Sequence, residues 1–173
     1  DHKRPLTNGT PAPAGPDRAL VVVMENMGGG DMLDRVMKSG AWSEEQAKVY
    51  FRQILLATAH AHARGVAHRD MKPENLLFDT AETTCKVCDF GTAKYVCPAE
   101  GTATTKEVGT FAYMAPEVMD PDVYEYDPFK ADMWSCGATL FVMVEGKWPF
   151  GQTPDLRRMK VTIHVLDSHS AFA

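Results

Sequence analysis

Asp70, Lys72 and Asn75 fall within six residues of one another, in the stretch His68-Arg69-Asp70-Met71-Lys72-Pro73-Glu74-Asn75. They bring a carboxylate, an ammonium and a side-chain amide to one short loop. That is the set needed to hold a hydroxyl nucleophile, a phosphoryl group and a magnesium ion at one point. Phosphoryl transfer asks little covalent work of a protein; it needs positioning and charge neutralisation. Asp70 can accept the proton of a hydroxyl. Lys72 can point the same way in an extended loop and meet the transferred phosphate. Asn75 offers an amide oxygen to magnesium, a hard cation that prefers oxygen ligands. Fourteen residues after Asn75 comes Asp89-Phe90-Gly91. Asp89 adds a second oxygen ligand, and Gly91 lets the chain turn sharply behind it. Taken singly, each of these residues reads more plainly as a solvated loop charge or an ordinary turn. Their combination over 22 residues, followed by Gly109-Thr110 and Ala115-Pro116-Glu117, is a poor candidate for accident.

Elements of recognisable pattern must position these groups. Residues 1–18 hold Pro5, Pro11, Pro13 and Pro16 with Gly9 and Gly15 between them, a loop or linker composition. Ala19 to Met24 is a short β-branched run that reads as a buried strand. Gly28-Gly29-Gly30 breaks it, and Asp31 can cap a short helix from Met32 to Lys38. Ser43-Glu44-Glu45-Gln46 is a capping box. Behind it Ala47, Tyr50, Phe51, Ile54, Leu55 and Thr58 recur at helical spacing, which predicts one amphipathic helix to Arg64, closed by Gly65. Leu76–Phe78 and Cys85–Cys88 are two short strands around a polar turn, Asp79 to Thr84. The segment from there to Thr110 is polar and irregular. Ala131 to Glu145 is strongly apolar and reads as a helix buried on most sides. From Gly151 the pattern weakens. The fold class is therefore α+β, mostly α.

Composition narrows the function classes. The 173 residues suit one domain, and 45% hydrophobic with 24% charged content is ordinary for a globular protein. A net charge of −5 gives no footprint for nucleic acid. No apolar run reaches the length of a membrane span, and the polar, Pro-rich start is unlike a signal peptide. Cys85 and Cys88 form a C-x-x-C, but no second matched pair of Cys or His follows, so reduced thiols near a buried strand are the plainer reading than zinc. A cytoplasmic or nuclear location is expected.

The order and spacing of these motifs resemble the signature of the eukaryotic protein kinases. The chain is similar to the C-terminal lobe of a serine/threonine kinase from Ala19 to about Lys160, so residues 19–173 are expected to form a partial kinase domain. The resemblance implies this lobe with the hinge and one strand of the N-terminal lobe. It implies phosphorylation of protein Ser/Thr hydroxyls, with ATP and Mg2+ as cofactors and proteins as partners. Asp70, Lys72 and Asn75 would be catalytic, with Asn75 and Asp89 on the metal. Met24 looks like the gatekeeper and Glu25-Asn26-Met27 like the hinge. Glu25 and Met27 would bond adenine, Leu77 would pack beneath it, and Cys88 would line the same pocket. Asp132 resembles the helix acid that ties down the backbone around His68 and Arg69.

Further roles follow from the same resemblance. Lys72 with Gly109-Thr110 matches the serine/threonine version of the motif. Met24-Glu25, Gly28 to Asp31 and Trp148-Pro149-Phe150 are similar to calcium/calmodulin-dependent or AMP-activated kinases. Asp31 and Glu74 match positions that often read a basic residue N-terminal to the target hydroxyl. Arg69 before Asp70 goes with control by phosphorylation of the loop after Asp89, by an upstream kinase. Thr105, then Thr104, are the candidate acceptors, with Arg69 and Lys94 receiving the phosphate and Thr110 set in place by it.

The sequence also departs from the family. It contains no G-x-G-x-x-G and no V-A-I-K-like lysine, and Arg157 and Arg158 come too early for the usual partner of Glu117. Thr139 stands where the buried helix is usually apolar. A piece of a larger kinase, weakly active or inactive alone, is the expectation; a non-catalytic kinase-like binding module is the alternative.

Overall fold

The computed structural model describes residues 21–96, 108–156 and 159. Three helices carry the packing, and each starts where a short polar side chain can accept from an otherwise orphaned backbone N–H. Helix α1 is Met32–Ser39, capped by Asp31, whose Oδ1 accepts from Asp34 N at 2.8 Å. Helix α2 is Glu44–His62, capped by Ser43, whose Oγ accepts from Gln46 N at 3.2 Å. Between them the chain turns at Gly40-Ala41-Trp42, where Trp42 N donates to Met143 O.

Two small antiparallel ladders follow. Strand β1, Val66–Ala67, pairs with β4, Lys94–Tyr95, through Val66↔Tyr95 and Ala67↔Lys94. Strand β2, Leu76–Phe78, pairs with β3, Cys85–Val87, with Leu76 opposite Val87 and Phe78 opposite Cys85. The turn between β2 and β3 is stabilised by Asp79, whose Oδ1 accepts from Thr83 N and Thr84 N at 2.8 and 3.1 Å. Tyr50 and Gln53 of α2 hold the same turn, the first donating to Glu82 O and the second bonding Thr83 O and Cys85 N. Short 3-10 turns occupy Pro73–Asn75, Phe90–Thr92 and Phe111–Tyr113. A single-turn helix α3, Pro116–Met119, precedes helix α4, Pro128–Glu145. Asp127 caps α4 by accepting from Phe129 N and Lys130 N.

One core joins α1, α2, α4 and the β2–β3 ladder, built from Met32, Val36, Ile54, Met71, Leu76, Phe78, Val142 and Met143. Trp42, Tyr50 and Phe78 pack together within it, Tyr50 edge-on to Phe78 and Trp42 tilted against both, with centroids 5.0 to 6.2 Å apart. A second cluster beneath α3 holds Met114, Val118, Tyr126 and Ala131. Among the described residues no helix is long and apolar enough to cross a membrane.

Three expectations are corrected. Residues 21–24 form no strand and are not buried: Val21, Val22, Val23 and Met24 are 67 to 91% exposed. A β-branched run has no ladder of its own, and among the described residues no strand lies beside this one to pair with it. The expected strand of an N-terminal lobe is therefore not observed over 21–24. Helix α2 ends at His62, two residues before Arg64, while α4 begins three residues before Ala131 because Pro128 fits a first helical position. As expected, α4 is buried on most sides, with only Lys130, Met133, Gly137 and Glu145 exposed. The segment after Asp89 is not all irregular, since β4 lies in it. The expectations for residues 1–18 and for Arg157 and Arg158 concern residues outside those described.

Candidate active site

Asp70 is held by one cation, Lys72, and two neutral donors, Thr110 and Asn75, that come from different parts of the chain. Lys72 Nζ lies 2.8 Å from Asp70 Oδ2 and donates to Thr110 Oγ1 at 2.7 Å. Thr110 in turn donates to Asp70 Oδ1 at 2.8 Å, which closes a triangle. Asn75 Nδ2 donates to Asp70 O at 2.8 Å and reaches its Oδ2 at 3.3 Å. Burial pushes the Asp70 carboxyl up, but the Lys72 ammonium and the Thr110 and Asn75 bonds outweigh it, and the net shift is downward from 3.8. Asp70 is thus held as a carboxylate, able to accept a proton in transit.

Thr110 reaches this loop because Gly109 precedes it. Gly109 has φ +118°, and a Cβ there would lie 2.7 Å from Arg69 O. A side chain at 109 would push Thr110 off the triangle. Arg69 and Asp89 are also in the left-handed region, with φ of 66° and 59°. Such backbone in a non-glycine residue persists only where its surroundings over-determine it.

Asp132 of α4 supplies that constraint for Arg69. Its Oδ1 accepts from Arg69 N at 2.7 Å; its Oδ2 accepts from His68 N and bonds His62 Nε2, both at 2.8 Å. The carboxylate is 1% exposed, so its charge is stabilised by these three donors rather than by water. One turn along the same face, Ser135 Oγ donates to Tyr113 O at 2.8 Å. A single face of α4 therefore fixes both the loop of Asp70 and the segment of Thr110.

His68 joins the Asp70 loop to Asp89. Its Nδ1 accepts from Asp70 N at 3.2 Å, which leaves Nε2 protonated to donate to Cys88 O at 2.9 Å. Its ring meets Phe90 edge-on, 4.8 Å between centroids. Cys88 N donates to Asn75 O at 2.9 Å, so Asn75 and Asp89 are brought to one end of the β2–β3 ladder. Asp89 Oδ1 accepts from Gly91 N at 3.2 Å, and the residue is exposed. Two oxygen-bearing side chains at one ladder end are a donor set that fits a hard divalent cation sharing its shell with phosphate and water.

The remaining predicted residues are spread more widely. Leu77 is half-buried opposite Lys86, and Met27 is half-buried above the Gly28–Gly30 bend. Met24 is 77% exposed. Glu25 carries an ion pair with Lys86. Burial first, then the Asp89 and Asp31 carboxylates, push the Cys88 thiol up, so it stays protonated. Asp31 acts as the α1 cap, and its backbone bridges to Leu77. Glu74 keeps one buried oxygen, Oε2, with no hydrogen-bond partner among the described residues. Arg69 Nε donates to Thr92 O at 2.8 Å, and Lys94 sits in β4. Thr104 and Thr105 lie outside the described residues.

Two contributors were not read from the sequence. His62 is one of a pair of histidines ending α2, and helical spacing alone gives no sign that it meets Asp132, 70 residues on. Thr92 Oγ1 donates to His68 O at 3.0 Å, a contact equally silent in the sequence.

Comparison with known proteins gives the family. Residues 14–171 match the family described as the protein kinase domain. The chain is similar to serine/threonine-protein kinase SAPK1 of Oryza sativa subsp. japonica, 41% identical over 145 residues, 83% of this chain and 41% of that protein. It is 40% identical over 152 residues to serine/threonine-protein kinase SRK2F of Arabidopsis thaliana, covering 87% of this chain and 42% of that protein. Serine/threonine-protein kinase SRK2E of the same plant is 40% identical over 146 residues, 84% of this chain and 39% of its own length. The chain thus spans about two fifths of the length of the curated relatives it matches. With the Asp70 triangle, the Asp132 tether and this match over most of its length, the chain belongs to the protein kinase domain family.

Proposed function

We propose that this chain is the catalytic C-terminal lobe, with the hinge, of an ATP-dependent protein serine/threonine kinase. The observation that carries the reading is the closed contact of Asp70, Lys72 and Thr110. A substrate hydroxyl entering beside Asp70 replaces Thr110 as donor to one carboxylate oxygen. Asp70 orients that hydroxyl and takes its proton as the oxygen bonds to the γ-phosphorus. Lys72, two residues away, neutralises charge on the transferring group. Asn75 and Asp89 would hold Mg2+, which when bound screens the phosphate oxygens and favours departure of the diphosphate. Residues 24–27 and Leu77 would hold adenine, with Met24, Glu25, Met27 and Cys88 at its edge.

Finer readings rest on the same site. Glu74, whose buried Oε2 has no hydrogen-bond partner among the described residues, and Asp31 favour substrates with a basic residue before the hydroxyl. Arg69 and Lys94 would receive a phosphate on Thr105 or Thr104, added by an upstream kinase. The motif style supports the calcium/calmodulin-dependent or AMP-activated group, and a cytoplasmic or nuclear location goes with it.

The test is transfer of labelled phosphate from ATP to serine, threonine and tyrosine peptides. Ser/Thr labelling that vanishes in Asp70→Asn supports the reading; equal labelling by Asp70→Asn overturns it. A second reading, a non-catalytic binding module, is favoured by the exposed run Val21–Met24 and by an open apolar cleft of about 510 Å³ between α2, β3 and Phe90. Magnesium-dependent ATP binding without transfer would favour this second reading.

A further inference from the structure

Arg35 lies on α1, outside the Asp70 cluster, yet it makes more directed contacts than any surface arginine requires. Its Nε and Nη2 both donate to Gly29 O, at 3.3 and 2.9 Å. Its Nη1 pairs with Glu82 at 2.7 Å. The guanidinium carbon sits 4.3 Å from the centroid of the Phe78 ring. Only an arginine can do all three, because the planar fork donates in two directions while its face stacks on an aromatic ring.

What it holds is a glycine bend that is also tied to β2 at two points. Gly28–Gly30 connects residues 24–27 to α1. Gly29 N donates to Phe78 O at 2.8 Å, and Phe78 N donates to Gly30 O at 2.9 Å. A Cβ at Gly29 would lie 2.2 Å from Asp79 O and 2.8 Å from Phe78 O, so the bend lies this close to β2 only because it lacks side chains. Glycine loses more backbone freedom on ordering than any other residue, so the position needs an outside anchor. The far end of that anchor is firm: Tyr50 of α2 donates to Glu82 O at 2.7 Å. A continuous path runs from α2 through Glu82 and Arg35 to the Gly29 carbonyl.

We propose that Arg35 is the positioning residue that fixes how residues 24–27 approach the β2–β3 ladder, where Glu25 pairs with Lys86, and so fixes the edge where a nucleoside triphosphate presents its base. The proposal rests on the kinase reading above. The test compares Arg35→Ala, Arg35→Lys and Glu82→Gln with the parent, in the intact protein, by steady-state kinetics and amide hydrogen exchange. Arg35→Ala is expected to raise the KM for ATP about tenfold with kcat within about twofold and the peptide KM unmoved. Arg35→Lys keeps the charge but loses the fork, and recovers only part of the change. Exchange is expected to quicken at residues 24–31 while α2 and α4 keep their protection. A fall in kcat at unchanged ATP KM, or unchanged exchange at 24–31, overturns the proposal. Exchange that quickens throughout α1, α2 and α4 also overturns it, since that marks a general loss of stability. If the parent transfers no phosphate, the kinase reading fails on its own, and the exchange pattern still decides whether Arg35 fixes the bend. If Arg35→Ala does not fold, Arg35→Lys and Glu82→Gln carry the same comparison.

Discussion

Charge at Asp70 is decided by its neighbours. Its lowered pKa means that its ion pair and hydrogen bonds favour the folded state above the ordinary value of 3.8, and that this contribution is lost only as pH falls through the lower folded value. Urea midpoints of the parent and Asp70→Asn should therefore differ by a constant amount from pH 8 to pH 5 and converge only below 3.8. In transfer assays the same substitution should lower kcat by about 10²- to 10⁴-fold, the usual contribution of a positioned base. Thr139 is a residue where nature leaves stability unused. Its hydroxyl is buried without a partner among the described residues, and the residue is 1% exposed. Thr139→Val keeps the shape and removes the unsatisfied group, and should raise unfolding stability by about 1 kcal/mol in urea titration.

At the scale of elements, α4 is the platform. Asp132 and Ser135 on one face hold the two segments that meet at the triangle, and α2 reaches the same carboxylate through His62. Asp132→Ala removes the acceptor of one buried and one half-buried backbone donor and frees Arg69 from its left-handed conformation. We expect a loss of about 2–4 kcal/mol in denaturant titration, from the buried His68 N–H at about 1–3 kcal/mol and the half-buried Arg69 N–H at about 1 kcal/mol. His62→Ala leaves those donors paired but withdraws one of three groups that stabilise a buried charge. Its cost should be smaller, about 1–2 kcal/mol, and its transfer activity should fall less than that of Asp132→Ala.

For the molecule as a whole, apolar surface stands open at residues 21–24 and at the cleft beside Phe90. Val21, Val22, Val23 and Met24 are exposed, Phe90 is 49% exposed, and the 510 Å³ cleft lies beside Phe90. Exposed apolar side chains such as these favour binding or aggregation. The purified chain should bind a hydrophobic dye and scatter light as its concentration rises. Val22→Lys with Met24→Gln should lower both signals without shifting the unfolding midpoint, because neither side chain is buried. An unchanged dye signal would place the sticky surface elsewhere.

Much of the site was legible because its parts are local in sequence. Asp70, Lys72 and Asn75 are fixed by one short loop, and the caps Asp31 and Ser43 announce α1 and α2 through side chains that meet backbone donors three residues away. The two strands β2 and β3 were legible from apolar runs around a turn whose Asp79 bonds its own neighbours. Contacts between distant residues were decided by the tertiary structure alone. No pattern along the chain says that His62 meets Asp132, that Arg35 grips Gly29, or that β1 finds β4, because each depends on how helices pack rather than on any period. The exposure of residues 21–24 was decided in the same way. Sequence sets the propensity of a β-branched run to extend, whereas burial requires a neighbouring strand or sheet, and that is a property of the assembled molecule.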